Sequence, residues 1–266
     1  MKKVLMVYRA SQFSPNSVDK DKKILEAVGE ELWNRGDDVT YVAEENLSDD
    51  DDADVIFSMG RLPETIEWLA RKEGEGKRTV NSSRGVRNAQ RSVIERLMRQ
   101  NAIPAAPLEG DNGYWLKRGD GAAQQEGDVK YACDAEERDR VKAEFNSRGI
   151  TDVVVTAHVV GDLVKFYGIR GTGFFKCFYP TDDGDSKFGD ERVNGAAHHY
   201  AYDEKSLMTT AERLADIVGL DIYGGDCIVR DDGTFAIIDF NDWPSFSRCR
   251  EEAAGAIAGL VRSLGV

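Results

Sequence analysis

The chain has 266 residues, of which 41% are hydrophobic and 31% are charged, and its formal net charge is −13. The length allows one large domain or a few small ones, and these proportions are ordinary for a globular protein. The negative charge argues against a general nucleic-acid binder, which needs a basic surface. The sequence contains no apolar run of about 18 residues, so it predicts no membrane span.

The first 81 residues alternate between short apolar runs and amphipathic segments. The apolar runs predict strands at 4–8, 39–43, 55–59 and 79–81. The amphipathic segments predict helices at 18–35 and 61–73. This alternation favours a Rossmann-like parallel sheet with crossover helices. Because the pattern Gly-x-Gly-x-x-Gly is absent, we do not interpret it as a dinucleotide site.

The next segment predicts one helix followed by a linker. Ser82 or Ser83 can cap a helix that runs to about Gln100. One helix face is apolar, and the other carries Arg84, Arg87, Arg91, Arg96 and Arg99. A solvated helix face explains these arginines, and contact with a phosphate or anionic ligand is the alternative explanation. Pro104 and Pro107 then mark the linker.

Residues 114–159 predict a β-loop-β-α-β unit. Its strands are expected at 114–118, 129–133 and 153–159, with a helix at 135–148. The loop after the first strand contains Gly119, Gly121 and Gly127, which give it conformational freedom. Lys117 stands where this strand meets the loop, so its side chain is a candidate ligand contact.

The hairpin from Gly224 to Asn241 carries the most information. Two apolar strands flank an Asp-Gly pair, which is a strong hairpin signal. Asp239 and Asn241 are two residues apart and share a strand face, and the fold of the hairpin can bring Asp226 beside them. Such hard oxygen donors suit Mg2+ that also holds substrate phosphates. Solvated acids on a surface hairpin are the alternative.

The set Asp226, Asp239 and Asn241 resembles the metal site of the ATP-grasp superfamily. The segment 114–118 resembles its lysine-bearing ATP strand, and 153–159 resembles its hinge strand. The resemblance implies an α/β and α+β protein in which a Rossmann-like half precedes a two-subdomain ATP-grasp fold. The implied parts are an N-terminal domain at 1–81, a linker helix at 82–113, a lid subdomain at 114–159 and a C-terminal subdomain with the metal site at 160–266.

The resemblance also implies roles for single residues. Expected ATP contacts are Lys117, Gly119, Gly121, Thr156, His158, Val159, Asp162, Lys165 and Arg87. One or two Mg2+ ions, or Mn2+, would bind Asp226, Asp239 and Asn241. The main chain of 156–159 would meet the adenine edge, and Asp162 would accept from the ribose. The candidate catalytic residues are Lys165, Lys176 and Arg248.

The implied activity is an ADP-forming ligation of a carboxylate to an amine or thiol through an acyl phosphate. Two departures from the superfamily pattern bear on it. Most relatives have Glu where this chain has Asp239, and Asp-x-Asn followed by Pro244 resembles the inositol phosphate kinase branch. A kinase acting on a hydroxyl of a polyol or inositol-phosphate-like substrate is therefore the alternative. Gly224 also stands where many amide-forming members have Arg. A nucleotide-binding module without turnover is the third hypothesis.

The second substrate is expected between the N-terminal half and the grasp. Loop 10–17, Gly60-Arg61 and 242–248 could line its site. The partners expected are small-molecule substrates, without nucleic acid or membrane, and a homodimer is an option because relatives are often dimers. Four cysteines without metal-ligand spacing predict reduced thiols in a cytoplasmic protein.

Overall fold

The computed structural model describes residues 1–14, 17–120, 127–180 and 195–263. The strands are β1 Lys3–Tyr8, β2 Asp38–Ala43, β3 Val55–Ser58, β4 Arg78–Val80, β5 Tyr114–Arg118, β6 Val129–Ala132, β7 Val153–Ala157, β8 Asp162–Ile169, β9 Phe174–Phe178, β10 Ile222–Val229 and β11 Phe235–Asp242. The helices are α1 Val18–Asn34, α2 Pro63–Gly74, α3 Ser83–Asn88, α4 Arg91–Gln100, α5 Ala135–Ser147, α6 Glu204–Val218 and α7 Arg250–Ser263. Most of these bounds lie within one or two residues of the sequence predictions.

The N-terminal sheet has the order β2-β1-β3-β4, and all its pairings are parallel. Its central strands are buried on both faces, as their continuous apolar runs require. Val4 and Met6 pack toward α1 and α7, whereas Leu5 and Val7 pack toward α2. The parallel sheet with crossover helices that the alternation predicted is present. The carboxyl ends of β1 and β3 therefore meet at one edge of this sheet.

The second sheet is antiparallel and has the order β11-β10-β8-β9. Its back face forms a core with the apolar faces of α4 and α6, where Leu214 and Met98 are buried against Phe166 and Phe240. Its other face joins the core of the parallel sheet through Trp243 and other apolar side chains. The two sheets are thus held together by a continuous apolar core.

The third sheet, β6-β5-β7, is covered on one face by α5. Leu116 and Phe145 are fully buried between them. Side chains alternate along β5, so Trp115 and Lys117 point to the face that α5 leaves open. That open face brings Lys117 against β11 of the antiparallel sheet, where its ammonium group donates to Ile238 O at 2.8 Å.

The helix expected from residue 82 to residue 100 is two helices, α3 and α4, because each packs on a different surface. Gln90 is extended (φ −72°, ψ 137°) and separates them. Ser82 caps α3 as expected, accepting from Gly85 N at 3.0 Å, and the side-chain amide of Asn88 donates to Val218 O at the end of α6. The α4 helix instead lies along the antiparallel sheet.

All four cysteines are free, as their spacing predicted. Among the residues that the structure describes, no helix combines the length and the apolar character that crossing a bilayer requires.

Candidate active site

A β-bulge in the hairpin β10–β11 sets the geometry of the site. Asp226 lies opposite Asp239, whereas the next residue, Cys227, lies opposite Ile237, so Ile238 is the extra residue. The bulge lets Ile237 enter the core while Asp239, two residues later, faces the site with Asp226. The main-chain oxygen of Ile238 accepts the bond from Lys117 described above.

The three predicted metal ligands lie together on one face of this hairpin. The side-chain amide of Asn241 is 3.4 Å from Asp239 Oδ2. Two carboxylates directly opposite each other repel, so the arrangement needs cations. Lys165, paired with Asp226 across β8 and β10, supplies one at 3.1 Å from Asp226 Oδ1. Arg91 supplies another, with Nε 3.3 Å from Asp239 Oδ1.

The charge of Asp239 is stabilised by its neighbours. Burial works against the charged form, but attraction by Arg91 and Lys117 outweighs it and holds the pKa of Asp239 well below its ordinary range. Asp239 is therefore ionised at neutral pH, as a ligand of a divalent cation must be. Burial also lowers the pKa of Lys117, although Asp239 partly offsets that effect.

Arg91 connects the third sheet to this hairpin. Its Nη1 donates to Arg118 O at 2.7 Å, while Nε and Nη2 face Asp239. Arg91, Lys117, Thr156 and Asp239 all line a cavity of about 10 Å³, which is room for roughly one water molecule. The open face of β5–β7 and the β10–β11 hairpin therefore face the same interior space.

The predicted hinge residues lie at the end of β7 and directly after it, and some of their main-chain groups already form hydrogen bonds. Ala157 N donates to Pro107 O at 2.7 Å, and His158 N donates to Gly113 O at 2.8 Å. Val159 N–H has no hydrogen-bond partner among the described residues. The imidazole of His158 accepts from Trp115 Nε1 at 3.0 Å. Because an indole N–H can only donate, His158 is neutral with its hydrogen on Nε2.

Asp162 has a different environment from the one that the sequence suggested. Its carboxylate is buried and accepts from His198 N at 2.7 Å and from Tyr200 N at 2.9 Å. Burial raises its pKa and these main-chain bonds lower it, with a net lowering. These contacts favour a role in fixing segment 198–200 over the expected contact with ribose.

For three other predicted residues, the structure shows contacts or positions outside the carboxylate pair. Lys176 bonds to Glu252 on α7 at 2.6 Å, and the guanidinium of Arg248 lies over the ring of Phe178, 5.4 Å from its centroid. Arg87 is exposed on α3 and, among the described residues, forms no ion pair. The structure instead brings Arg91, another arginine of the predicted helix face, to the site.

Of the two loop glycines that were predicted to contact ATP, only Gly119 lies within the described residues. A Cβ atom at Gly119 would lie 2.4 Å from the carboxylate of Asp152, so a larger residue there would have to displace that side chain. Gly119 also bonds through its own main chain to Asp152 O at 2.8 Å, which ties this end of the loop to the third sheet. Gly121 lies outside the described residues.

The donor set fits a hard divalent cation that shares its coordination with a ligand. In the described part of the chain, no group of three or more His, Cys, Asp or Glu side chains could hold a metal ion. The set here comprises two carboxylates and one amide. Mg2+ typically binds one or two carboxylates and completes its shell with waters and substrate phosphates. The residues present therefore suit Mg2+ bound with a phosphate ligand.

Sequence reasoning missed a buried group of charges beside this site. Arg9 follows β1, Arg61 follows β3, and both guanidinium groups contact the carboxylate of Asp242. Asp21 and Glu44 complete the group. The available signal was a charged residue placed soon after each of two buried parallel strands, because such residues meet at one sheet edge.

Comparison with known proteins identifies the fold but not a close relative. No family model matches the sequence, and no curated protein matches it. Solved structures do match it. The RimK domain ATP-grasp protein from Sphaerobacter thermophilus is 17% identical, with a TM-score of 0.66, and the match covers 97% of this chain and 98% of that one.

Two ligases match over similar spans. The D-alanine–D-alanine ligase from Bacillus anthracis, complexed with ATP, is 10% identical with a TM-score of 0.63, and the match covers 97% of each chain. The ATP-grasp ligase PsnB, complexed with a phosphomimetic variant of minimal precursor, Mg and ADP, is 14% identical with a TM-score of 0.60, covering 98% of this chain and 97% of that one. The chain therefore has the ATP-grasp fold, as the resemblance predicted. At these identities, the likeness concerns the fold alone.

Proposed function

We propose that the protein is an ATP- and Mg2+-dependent, ADP-forming ligase that joins a carboxylate to an amine or thiol. The observation that carries the proposal is the convergence of Asp226, Asp239 and Asn241 on one face of the β10–β11 hairpin, beside Lys117 and Lys165, in a chain with the ATP-grasp fold. Similar folds have been solved with ATP and with Mg and ADP, which supports the same ligands here.

In this proposal the cations of the site hold the phosphates of ATP. Lys117 contacts the α- and β-phosphates, and Lys165 and Arg91 reach the phosphates from the opposite sheet and from α4. Mg2+, when bound by Asp226, Asp239 and Asn241, neutralises part of the phosphate charge. Phosphoryl transfer depends mainly on such positioning and charge neutralisation, so no further covalent group is required of the protein.

The adenine would bind at the end of β7. The N–H of Val159 is available for the adenine edge, and the neutral His158 can donate through Nε2. The ligation proper has two steps. A substrate carboxylate oxygen attacks the γ-phosphorus and releases ADP, and an amine or thiol then attacks the acyl phosphate and releases inorganic phosphate.

The second substrate would lie where the parallel sheet meets the metal hairpin. The ends of β1 and β3 point to that junction, and ligands of open α/β sheets bind at the carboxyl ends of strands. The proposed division is a Rossmann-like domain at 1–81, a linker at 82–113, a lid at 114–159 and a metal-bearing subdomain at 160–266. We place such an enzyme in the cytoplasm.

Phosphorus NMR of Mg-ATP with the protein and a deproteinised metabolite extract tests the proposal. Inorganic phosphate that appears in step with ADP is the expected result, and Asp239→Ala should abolish it. Asp231→Ala, which removes an exposed acid from the turn of the same hairpin, should leave it unchanged. A new phosphoester signal without inorganic phosphate would instead support the kinase that the Asp-x-Asn-x-x-Pro run suggests. No ATP consumption with any fraction of the extract would contradict both.

A further inference from the structure

The last residue of β11 is held by two arginines that follow strands of the parallel sheet. Asp242 follows Asn241 directly, and its side chain is only 2% exposed. Arg61 bonds to both of its carboxylate oxygens, with Nε 3.2 Å from Oδ2, and Arg9 Nη2 is 3.6 Å from Oδ2. We call these three residues the Arg9–Arg61–Asp242 cluster.

Both arginines are themselves fixed by bonds to residues around the parallel sheet. Arg9 donates to Met59 O at 2.9 Å and pairs with Asp21 at 3.0 Å. Glu44 accepts from the main-chain N–H of Arg61 at 2.7 Å and also from that of Ala10. The loops after β1 and β3 are therefore bonded to each other independently of their contacts with Asp242.

The charges of the cluster depend on one another because they are buried. Burial disfavours the charged form of Asp242, but attraction by Arg61 and Arg9 holds its pKa below the ordinary value. Loss of one partner from a buried pair leaves an uncompensated charge, which is strongly destabilising. Such pairs are best attested as devices that specify one arrangement of two elements.

The Arg9–Arg61–Asp242 cluster lies where β11 ends. β11 is an edge strand of its sheet, and its pairing with β10 ends at Tyr223 and Asp242. The chain then turns sharply, since Trp243 has φ 40°, a left-handed conformation that few non-glycine residues adopt. Trp243 is itself buried and donates through its main-chain N–H to Ile222 O at 3.2 Å, so Asp242 and Trp243 together anchor the strand end that carries Asn241.

We infer that Asp242 is a positioning residue for the metal site: through Arg9 and Arg61, the parallel sheet fixes the end of β11 and so holds Asn241 against Asp239. The inference rests on the metal assignment of the proposed function. It couples the two loops that border the second-substrate junction to the geometry of the metal ligands, without any contact between these arginines and the metal.

Binding of Mn2+ to the full-length protein, followed by the EPR signal of free Mn2+, tests this inference. Asp242→Asn keeps the side-chain shape, removes its charge and should weaken Mn2+ binding about tenfold or more, as the loss of supporting groups around metal ligands generally does. Arg61→Lys keeps the charge but loses the planar fork, and should give a smaller loss of affinity.

Asp221→Asn is the matched control. Asp221 is also buried and is also held by two arginines, Arg78 and Arg170, each at 2.6 Å, but it precedes β10 and adjoins no candidate ligand. Its free energy of unfolding in urea should fall about as much as that of Asp242→Asn, whereas its Mn2+ affinity should stay within about twofold of the wild type. An equal loss of Mn2+ affinity in Asp221→Asn would overturn the inference, because a general loosening would then explain both.

Two further outcomes separate this inference from the proposed function. If Asp239→Asn abolishes Mn2+ binding while a folded Asp242→Asn binds normally, only the positioning role is wrong. If Asp239→Asn has no effect on Mn2+ binding, the metal assignment fails and the positioning role fails with it. Should Asp242→Asn not fold, Arg61→Lys decides, and unchanged Mn2+ affinity in that variant overturns the inference.

Discussion

Replacing Arg91 by alanine is expected to strengthen the binding of a divalent cation in the absence of nucleotide. The guanidinium of Arg91 lies 3.3 and 3.5 Å from the two carboxylate oxygens of Asp239. A cation that uses Asp239 must displace this group and withstand its repulsion. Arg91 therefore competes with the metal until phosphates arrive, and its removal should favour the metal.

The geometry of the Arg91–Asp239 contact sets the expected size of the effect. Hydrogen bonds that involve a charged group contribute about 1.5–3 kcal/mol. Both contacts are longer than the roughly 2.7–2.9 Å of a strong N–H···O bond between charged groups, so the lower end applies. About 1.5 kcal/mol corresponds to a roughly tenfold tighter metal complex. The pKa of Asp239 should rise when Arg91 is lost, but Lys117 remains, so the carboxylate stays ionised near neutral pH.

Titration with Mn2+ at neutral pH, read by EPR, measures this effect directly. Arg87→Ala is the control, because it removes the same charge from the neighbouring helix at an exposed position and should change the affinity less than twofold. With Mg-ATP the sign should reverse, since Arg91→Ala also loses a proposed phosphate contact. Unchanged or weaker Mn2+ binding by Arg91→Ala would refute the competition argument.

Three further predictions concern the nucleotide, the β10–β11 hairpin and pH. Lys117→Met should weaken ATP binding roughly tenfold or more by calorimetry, since it loses a charge-assisted contact, whereas Lys130→Met on β6 should not. Gly225→Ala would place a methyl group 2.5 Å from a main-chain oxygen of β11 and should lower the free energy of unfolding by about 1–3 kcal/mol. Gly259→Ala has open space on α7 and should raise the free energy of unfolding by up to about 1 kcal/mol. Equal urea midpoints for the two variants would contradict both expectations. Burial lowers the pKa of His158 below its ordinary value of about 6.5. The contribution of His158 to the free energy of unfolding is therefore complete above about pH 6.5 and is lost as the pH falls through the lowered pKa. His158→Gln should remove that part of the pH dependence of the urea midpoint.

Local rules account for the parts of the site that the sequence predicted. The Asp-Gly turn and the apolar runs beside it determine a hairpin, and a spacing of two places Asp239 and Asn241 on one face. Lys117 follows from alternation along β5, since its neighbours Leu116 and Tyr114 enter the core of the third sheet. Such patterns depend on the geometry of a single strand or helix, so they can be read without knowing what packs against it.

The bulge at Ile238 could not be predicted in this way. It requires that Ile237 enter the core and Asp239 face the site, although the two are separated by one residue. Which of the apolar residues is the extra one depends on the register of β11 with β10, and register is set by burial across the whole sheet. The break between α3 and α4 has a similar origin, because two different surfaces receive the two helices.

The sequence alone determined the order of the helices and strands, apart from the break between α3 and α4, together with the hairpin and the identity of the three candidate ligands. Only the tertiary structure decided which arginines join Lys117 and Lys165 beside them. Arg91 was one of several arginines on its segment, and its selection depends on where α4 lies against β11. The burial of Arg9 and Arg61 against Asp242 joins residues more than 180 positions apart (9 and 61 against 242). Hydrophobic periodicity carries no information about such pairs, because it records how each segment faces a core and not which charges meet at its edge.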